Sequence, residues 1–272
     1  MKNDTKIVLL VMDGLGGLPG PDGKTELEAA STPNLDELAR TSACGLHLPV
    51  AMGITPGSGP GHLALFGYDP FEHQIGRGIL EALGLGLSVK STDVAIRCNY
   101  STIKDGIIEN RRAGRIPTEK SRKLTEMLQK EIKEIDDAEV IFAPGMEHRF
   151  AVLLRFPYPL EAGAAAINDS DPQNKGLAPL PLSPETEAAE KIAKAAEKLV
   201  TRAVELLRDQ DKANYVLLRG ISQKPEMPSF EEAYGLKALA IAAYPMYRGV
   251  SRLVGMDAPD IEGDIREELD FL

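Results

Sequence analysis

Apolar positions along this chain follow two periods. Runs rich in β-prone residues occur at Lys6–Met12, Asp93–Tyr100, Ala138–Ala143, Ala151–Leu154, Asn214–Gly220 and Gly235–Ala243. The first of them, Lys6–Met12, suits a central strand covered on both faces, the habit of parallel sheets in α/β folds. Between them the spacing becomes helical. Thr32 reads as an N-cap with Pro33 at the first helical position, Asp36 and Glu37 near the positive end, and Leu35, Leu38 and Ala39 on the apolar face. Thr118 is placed to cap a helix carrying Leu124, Met127, Leu128, Ile132 and Ile135. Ser183-Pro184-Glu185 is expected to open the longest helix, with an apolar stripe from Ala189 to Leu207 opposite Glu190, Lys194, Glu197, Lys198 and Glu205. Phe230–Tyr234 predicts a short helix. The fold class expected is α/β.

The segments joining these elements carry the chemistry. In Gly53-Ile54-Thr55-Pro56-Gly57-Ser58-Gly59-Pro60-Gly61-His62, flanking glycines allow Ser58 to sit at a sharp turn with its hydroxyl exposed. A helix beginning near Gly61 would aim free N–H groups at that turn, which suits a phosphate. Asp13 follows the first β-prone run and so stands at a strand's carboxyl end, where open α/β sheets place ligands. Gly14, Gly16 and Gly17 beside it do not meet the G-x-G-x-x-G spacing, so a dinucleotide loop is rejected.

Composition narrows the partners. The chain has 272 residues and a net charge of -10, which argues against general binding to nucleic acid or to an anionic membrane. An acidic protein that handles anions must concentrate its arginines locally. Arg97 shares a strand face with Asn99 by the two-residue period, Arg111, Arg112 and Arg115 surround Gly114, Arg149 follows His148 at a strand start, and Arg219 ends a strand. Guanidinium groups at strand ends and in a glycine loop suit bidentate recognition of phosphate and carboxylate. His148, between Glu147 and Arg149, is a poor metal ligand, and reads either as a phosphate or hydroxyl contact or as a surface histidine. Cys44 and Cys98 make neither a disulfide framework nor a metal site. Residues 1–4 carry no signal-peptide pattern and no apolar run approaches a membrane span, so a cytoplasmic protein is expected.

Asp13-Gly14, then Thr32-Pro33-Asn34-Leu35-Asp36 with Leu38-Ala39, then Thr55-Pro56-Gly57-Ser58-Gly59-Pro60-Gly61-His62-Leu63-Ala64, Gly67-Tyr68-Asp69-Pro70 and Gly76-Arg77-Gly78 together resemble the archaeal-type cofactor-independent phosphoglycerate mutases of the alkaline phosphatase superfamily. The resemblance runs through essentially the whole chain. It implies a parallel-sheet, phosphatase-like domain from residues 1–85 and 225–272, and an inserted α/β (α+β) substrate domain from 86–224. It implies interconversion of 2- and 3-phosphoglycerate, in glycolysis and gluconeogenesis, through a phosphoserine on Ser58, with two divalent ions of the Mn, Mg or Zn type. Asp13 and Ser58 match metal positions, and Arg97, Arg112, Arg115, His148, Arg149, Asp171, Arg219 and Lys237 match substrate positions. The chain's histidines are His47, His62, His73 and His148, so most of the family's metal ligands are missing, and the resemblance implies an N-terminal fragment. A sheet lacking later strands would favour association, hence a possible homo-oligomer. Two alternatives stay open: another phosphomutase or phosphomonoesterase of the same superfamily, or a non-catalytic anion-binding chain.

Overall fold

The computed structural model describes residues 5–272, and the reading of residues 1–4 lies outside them. The chain divides into two compact units, Met1–His47 and Leu48–Leu272.

The first unit holds α1 (Glu26–Ala29), closed by a capping box between Thr25 and Glu28, and α2 (Pro33–Thr41) with Pro33 at its start as expected. No described residue of this unit is buried. The strand expected at Lys6–Met12 does not form: Ile7 is 82% exposed, and Leu10 is 68% exposed. The physical reason is that a strand exists only as part of a ladder, and among the described residues none pairs with this run. Leu35 and Leu38 of α2 are likewise exposed.

The second unit is built on one sheet: β1 (Asp93–Lys104), β2 (Ile107–Asn110), β3 (Glu134–Ile135), β4 (Ala138–Pro144), β5 (Arg149–Arg155) and β6 (Tyr215–Gln223). The order runs β3-β4-β5-β1-β6, with β2 pairing the far end of β1. All these pairings are antiparallel and fall within residues 93–223, inside the segment expected to be the inserted α/β (α+β) domain, while among the described residues no ladder of strands forms in 5–85 or 225–272, where the parallel sheet was expected. The one parallel pairing among the described residues is the single bridge Leu239–Asp257, which replaces the buried strand expected at Gly235–Ala243. Short hairpins such as β1–β2 and β4–β5 reverse the chain directly, so no crossover to a parallel neighbour arises.

Helices cover the two faces of the sheet differently. On one face α5 (Thr118–Glu131) and α6 (Glu190–Leu207) bury a large cluster drawn from residues 94–221, including Ile96, Tyr100, Leu128, Phe150, Leu199 and Leu218. Two helix starts differ from expectation. Thr118 is the first residue of α5 rather than its cap, and its hydroxyl accepts from Glu147 N–H at 3.0 Å. Pro184 instead bridges Ile167, and the long helix begins after Thr186, which caps a 3-10 turn at Glu187–Ala189. On the other face lies a smaller cluster from α3 (Ser58–Leu65), α4 (Arg77–Gly84) and α8 (Pro245–Leu253), seated on Ala95, Ala143, Ala151 and Leu153. Glycines set this approach: a Cβ at Gly78 would overlap the Ala95 carbonyl, and Cβ atoms at Gly84 and Gly249 would overlap the carbonyls of Pro245 and Leu80. Arg252 and Arg248 then donate to the last carbonyls of α4, at Leu83 and Gly84. α7 (Phe230–Tyr234) and α9 (Ile265–Phe271), each opened by a capping box, complete the unit. No helix among the described residues is long and apolar enough to cross a membrane.

Candidate functional site

The antiparallel register assembles a basic surface. Arg97 of β1 pairs directly with Arg219 of β6, and Asn99 of β1 pairs with Arg149 of β5. Directly paired residues share a sheet face, so three strands present Arg149, Asn99, Arg97 and Arg219 together, beside the cluster under α4. Like charges directly opposite each other destabilise a sheet, so this arrangement calls for counter-charge. The β1–β6 register shifts between Ala95 and Arg97, and Gly220 takes φ +56° there. A Cβ at Gly220 would sit 2.8 Å from that of Arg77, so the bulge needs glycine, and it sets the aim of Arg219.

The Asn168–Asp171 segment runs along the open edge of β6. Ser170 N–H donates to Leu218 O at 2.9 Å, and its hydroxyl accepts from Leu218 N–H at 2.8 Å. This clamps two carboxylates beside the arginines. Asp169 accepts from Gly220 N–H at 2.6 Å and lies 3.4 Å from Arg219. Asp171 takes both arms of Arg111 at 2.7 Å and lies 3.6 Å from Arg219. Burial works to raise the Asp171 pKa, but Arg111, Gln173 N–H and Arg219 outweigh it and hold the carboxyl below its usual range. Asp171 is therefore a partner of Arg111 and Arg219 in this structure.

His148 lies in the β4–β5 turn, 2% exposed, 3.6 Å from Glu147. Burial first, then Arg149, Arg112 and Arg115, against the opposing pull of Glu147, lower its pKa to about 4, so it is neutral at physiological pH. It is buried, not a surface histidine. Arg115 is exposed and faces Glu147 at 3.4 Å, and Arg112 is exposed as well. Positive φ at Ala113, Gly114 and Arg115 turns this loop so that Arg111, rather than either neighbour, points at Asp171. Five buried polar atoms around this surface lack a hydrogen-bond partner: Arg97 Nε, Asn99 Oδ1, Ser101 Oγ, His148 Nδ1 and Arg149 Nε. Buried polar groups are nearly always paired, and this cluster of exceptions lies on the face that carries the arginines.

Ser58 is the first residue of α3, so the helix starts three residues earlier than expected. Gly57 caps it in extended geometry, and Gly59 answers to close packing, since a Cβ there would lie 2.9 Å from Leu80 Cδ1. Pro60 has no N–H and Gly61 N–H is bound to Gly57 O, which leaves the N–H groups of Ser58 and Gly59 at the helix's positive end. His62, stacked on Tyr247 at 4.8 Å, places Nδ1 2.7 Å from Ser58 O and braces this turn. Asp13 belongs to the first unit, in a turn. Lys237 lies after α7, 85% exposed and 4.0 Å from Glu231. Among the described residues no group of three or more His, Cys, Asp or Glu side chains is arranged to hold a metal ion. The donor set of this chain does not fit the two ions that the resemblance implies.

Sequence reasoning missed Arg111, Asp169 and Glu81 as members of the arginine surface. Arg111 was visible in the arginine loop, whereas Glu81 reads from sequence as one polar position on a short helix.

A family model described as 2,3-bisphosphoglycerate-independent phosphoglycerate mutase matches residues 39–212. A probable 2,3-bisphosphoglycerate-independent phosphoglycerate mutase of Aquifex aeolicus is 58% identical over 276 residues, covering 100% of this chain and 68% of that protein. One of the same description from Thermotoga neapolitana is 49% identical, covering 99% of this chain and 66% of that protein. A solved structure, the cofactor-independent phosphoglycerate mutase from Thermoplasma acidophilum, is 32% identical with a TM-score of 0.65, over 96% of this chain and 72% of that one. The chain spans about two thirds of the length of the curated relatives it matches. On this match the chain belongs to the 2,3-bisphosphoglycerate-independent phosphoglycerate mutase family.

Proposed function

We propose that this chain serves the interconversion of 2- and 3-phosphoglycerate, an isomerase reaction of glycolysis and gluconeogenesis in the cytoplasm, by way of a phosphoserine on Ser58. The observation that carries the reading is the register pairing of Arg97 with Arg219, with Arg149 on the next strand and unpartnered polar atoms around them. A phosphorylated, carboxylated ligand relieves the repulsion between those guanidinia and satisfies those atoms together.

In this reading Arg97, Arg149 and Arg219 grip the ligand, with Asp171 and Arg111 holding Arg219 in place. Arg112, Arg115, His148 and Lys237 are the remaining substrate positions. His148, neutral, offers a hydrogen bond without adding charge. Ser58 Oγ gives up its proton and forms a bond to phosphorus as the bond from phosphorus to one glycerate oxygen breaks, and that oxygen takes up a proton to become a hydroxyl. The neighbouring glycerate hydroxyl then attacks phosphorus, and the serine oxygen leaves with its proton restored. The N–H groups of Ser58 and Gly59 face the transferred oxygens. Residues 86–224 act as a substrate domain inserted between the phosphatase-like segments 1–85 and 225–272, its closure excluding water.

Two measurements test this. Calorimetric titration of the chain with 3-phosphoglycerate is expected to show binding that Arg219→Met weakens at least tenfold, by the strength of a charge-assisted hydrogen bond. Mass spectrometry after incubation of the mutase with 2-phosphoglycerate is expected to find a phosphoryl group on Ser58, absent in Ser58→Ala. A Ser58→Ala enzyme that still interconverts the two phosphoglycerates overturns the serine's role, and net release of inorganic phosphate points instead to a phosphomonoesterase.

A further inference from the structure

Glu81 takes no part in the reaction above, yet it meets the arginine surface from α4. The inward residues around it, Ile79, Leu80, Ala82 and Leu83, are buried and apolar. Its own side chain is only 12% exposed, with Oε2 3.5 Å from Arg97 Nε. That is longer than a charge-assisted hydrogen bond, and Arg97 Nε has no hydrogen-bond partner. Glu81 balances the guanidinium charge without occupying its donor.

The surroundings of Glu81 are almost entirely basic. Arg97 approaches from β1 and Arg149 from β5, and Glu81 and Arg149 line one recess with Tyr244, Pro245 and Met246. Arg219 on β6 acts on Arg97, as does Tyr244. From α8, Arg248 and Arg252 are turned to the carbonyls ending α4. The buried Cys98 thiol of β1 feels the Glu81 charge, which raises its pKa after burial has done so. For Glu81 itself burial raises the pKa, opposed by Arg97 and then Arg149. Burial outweighs that opposition, so the Glu81 pKa stands above the ordinary glutamate value, and its ionised form depends on the two guanidinia that face the proposed ligand.

We propose that Glu81 is the resident counter-ion of the arginine surface, displaced electrostatically by an entering phosphorylated ligand, and that it takes up a proton as the ligand binds. This rests on the reading that the arginine surface binds a phosphorylated anion. When Arg97 and Arg149 turn their donors to the ligand, Glu81 loses their attraction and faces a new negative charge. Both changes favour its neutral form. By linkage, affinity for the ligand rises as pH falls through the range in which Glu81 titrates.

The test is calorimetric titration with 3-phosphoglycerate in buffers of different ionisation enthalpy, for the wild-type chain and for Glu81→Gln. Proton exchange by the ligand's own phosphate is common to both. The wild type is expected to take up more protons than Glu81→Gln, by nearly one per ligand at a pH where Glu81 is ionised. Glu81→Gln is expected to bind about tenfold more tightly there, as removal of a nearby buried like charge predicts, with the two affinities converging as pH falls. Equal proton uptake overturns the proposal, as does weaker binding by Glu81→Gln at every pH. Wild-type affinity and proton uptake across pH give a second measurement that needs no variant: flat profiles, once the ligand's own titration is subtracted, also overturn it. Absence of binding by the wild type defeats the arginine-surface reading itself, whereas binding with unchanged uptake defeats this inference alone.

Discussion

The two faces of β1 make an instructive pair. Val94, Ile96, Cys98 and Tyr100 point to one side, fully buried in the cluster under α5 and α6. Ala95, Arg97, Asn99 and Ser101 point to the other, where the apolar contact with α4 ends after Ala95 and polar groups begin. One strand therefore holds the fold together with its even positions and presents charge with its odd ones. The even face is satisfied by packing alone. The odd face carries paired like charges and unpartnered polar atoms, features that lower stability unless another molecule answers them.

The largest expected effect lies on the even face. Ile96→Ala removes a fully buried side chain from the larger cluster and should cost about 2–4 kcal/mol of stability. Urea unfolding measures the loss, and calorimetry on the folded protein should find 3-phosphoglycerate affinity unchanged. A parallel fall in affinity would break the separation of the faces.

The next effect belongs to His148, at the rim of the charged face. Its pKa of about 4 in the fold lies below the value of about 6.5 expected for an unfolded histidine. Between those values the unfolded chain binds the extra proton, so this contribution to stability rises with pH, is complete above about pH 7, and is lost as pH falls towards 4. The full difference amounts to about 3 kcal/mol. His148→Gln should remove that part of the acid sensitivity, read as the difference between wild-type and variant unfolding midpoints across the window. An unchanged difference at every pH would show that the buried imidazole is not what makes this rim acid-sensitive.

Arg97→Met examines the odd face directly. It keeps much of the side chain's bulk while deleting the charge that faces Arg219 and Glu81. Affinity for 3-phosphoglycerate should fall by roughly tenfold to a hundredfold, with a modest loss of stability, since relief of the repulsion from Arg219 offsets only part of what the nearly buried Glu81 loses with its partner. Strong destabilisation instead would make Arg97 a structural residue.

How much of this was legible in the sequence follows from the range of the interactions. The two-residue period placed Arg97 and Asn99 on one face, and helical spacing located α5, α6 and α7 to within a few residues. These depend on neighbours near in the chain. The pairing of Arg97 with Arg219 depends on register between strands more than a hundred residues apart and on a bulge, which no local pattern encodes. The runs at Lys6–Met12 and Gly235–Ala243 have a strand's composition, but strand formation needs a ladder, and ladders are not a property of one segment. At Ser58 the pattern predicted a turn ahead of a helix near Gly61, and in the structure the helix begins on the serine itself. Why Arg111 and not Arg112 reaches inward was decided by three consecutive positive φ angles, two of them at non-glycine residues that carry no turn signature.

The smallest effect concerns a residue on which the charged face depends indirectly. Ser170 is buried at the open edge of β6, its hydroxyl accepting from Leu218 N–H while its own N–H donates to Leu218 O. Ser170→Ala leaves the second bond and orphans the Leu218 donor, which should cost about 1–2 kcal/mol. Leu218 belongs to the even-face cluster, whereas Asp169 and Asp171, on either side of Ser170, hold Arg219 on the other face. The substitution therefore reaches both faces through one edge. If the carboxylates hold Arg219 only while Ser170 fixes their segment, 3-phosphoglycerate affinity should drop a few-fold beyond any loss of folded protein, because a less constrained Arg219 must be ordered on binding. Glycine at the same position loosens the backbone further and should enlarge the affinity loss more than the stability loss. Equal affinities for wild type, Ser170→Ala and Ser170→Gly would show that Arg219 is aimed by the Gly220 bulge alone, and that the edge clamp serves only the core.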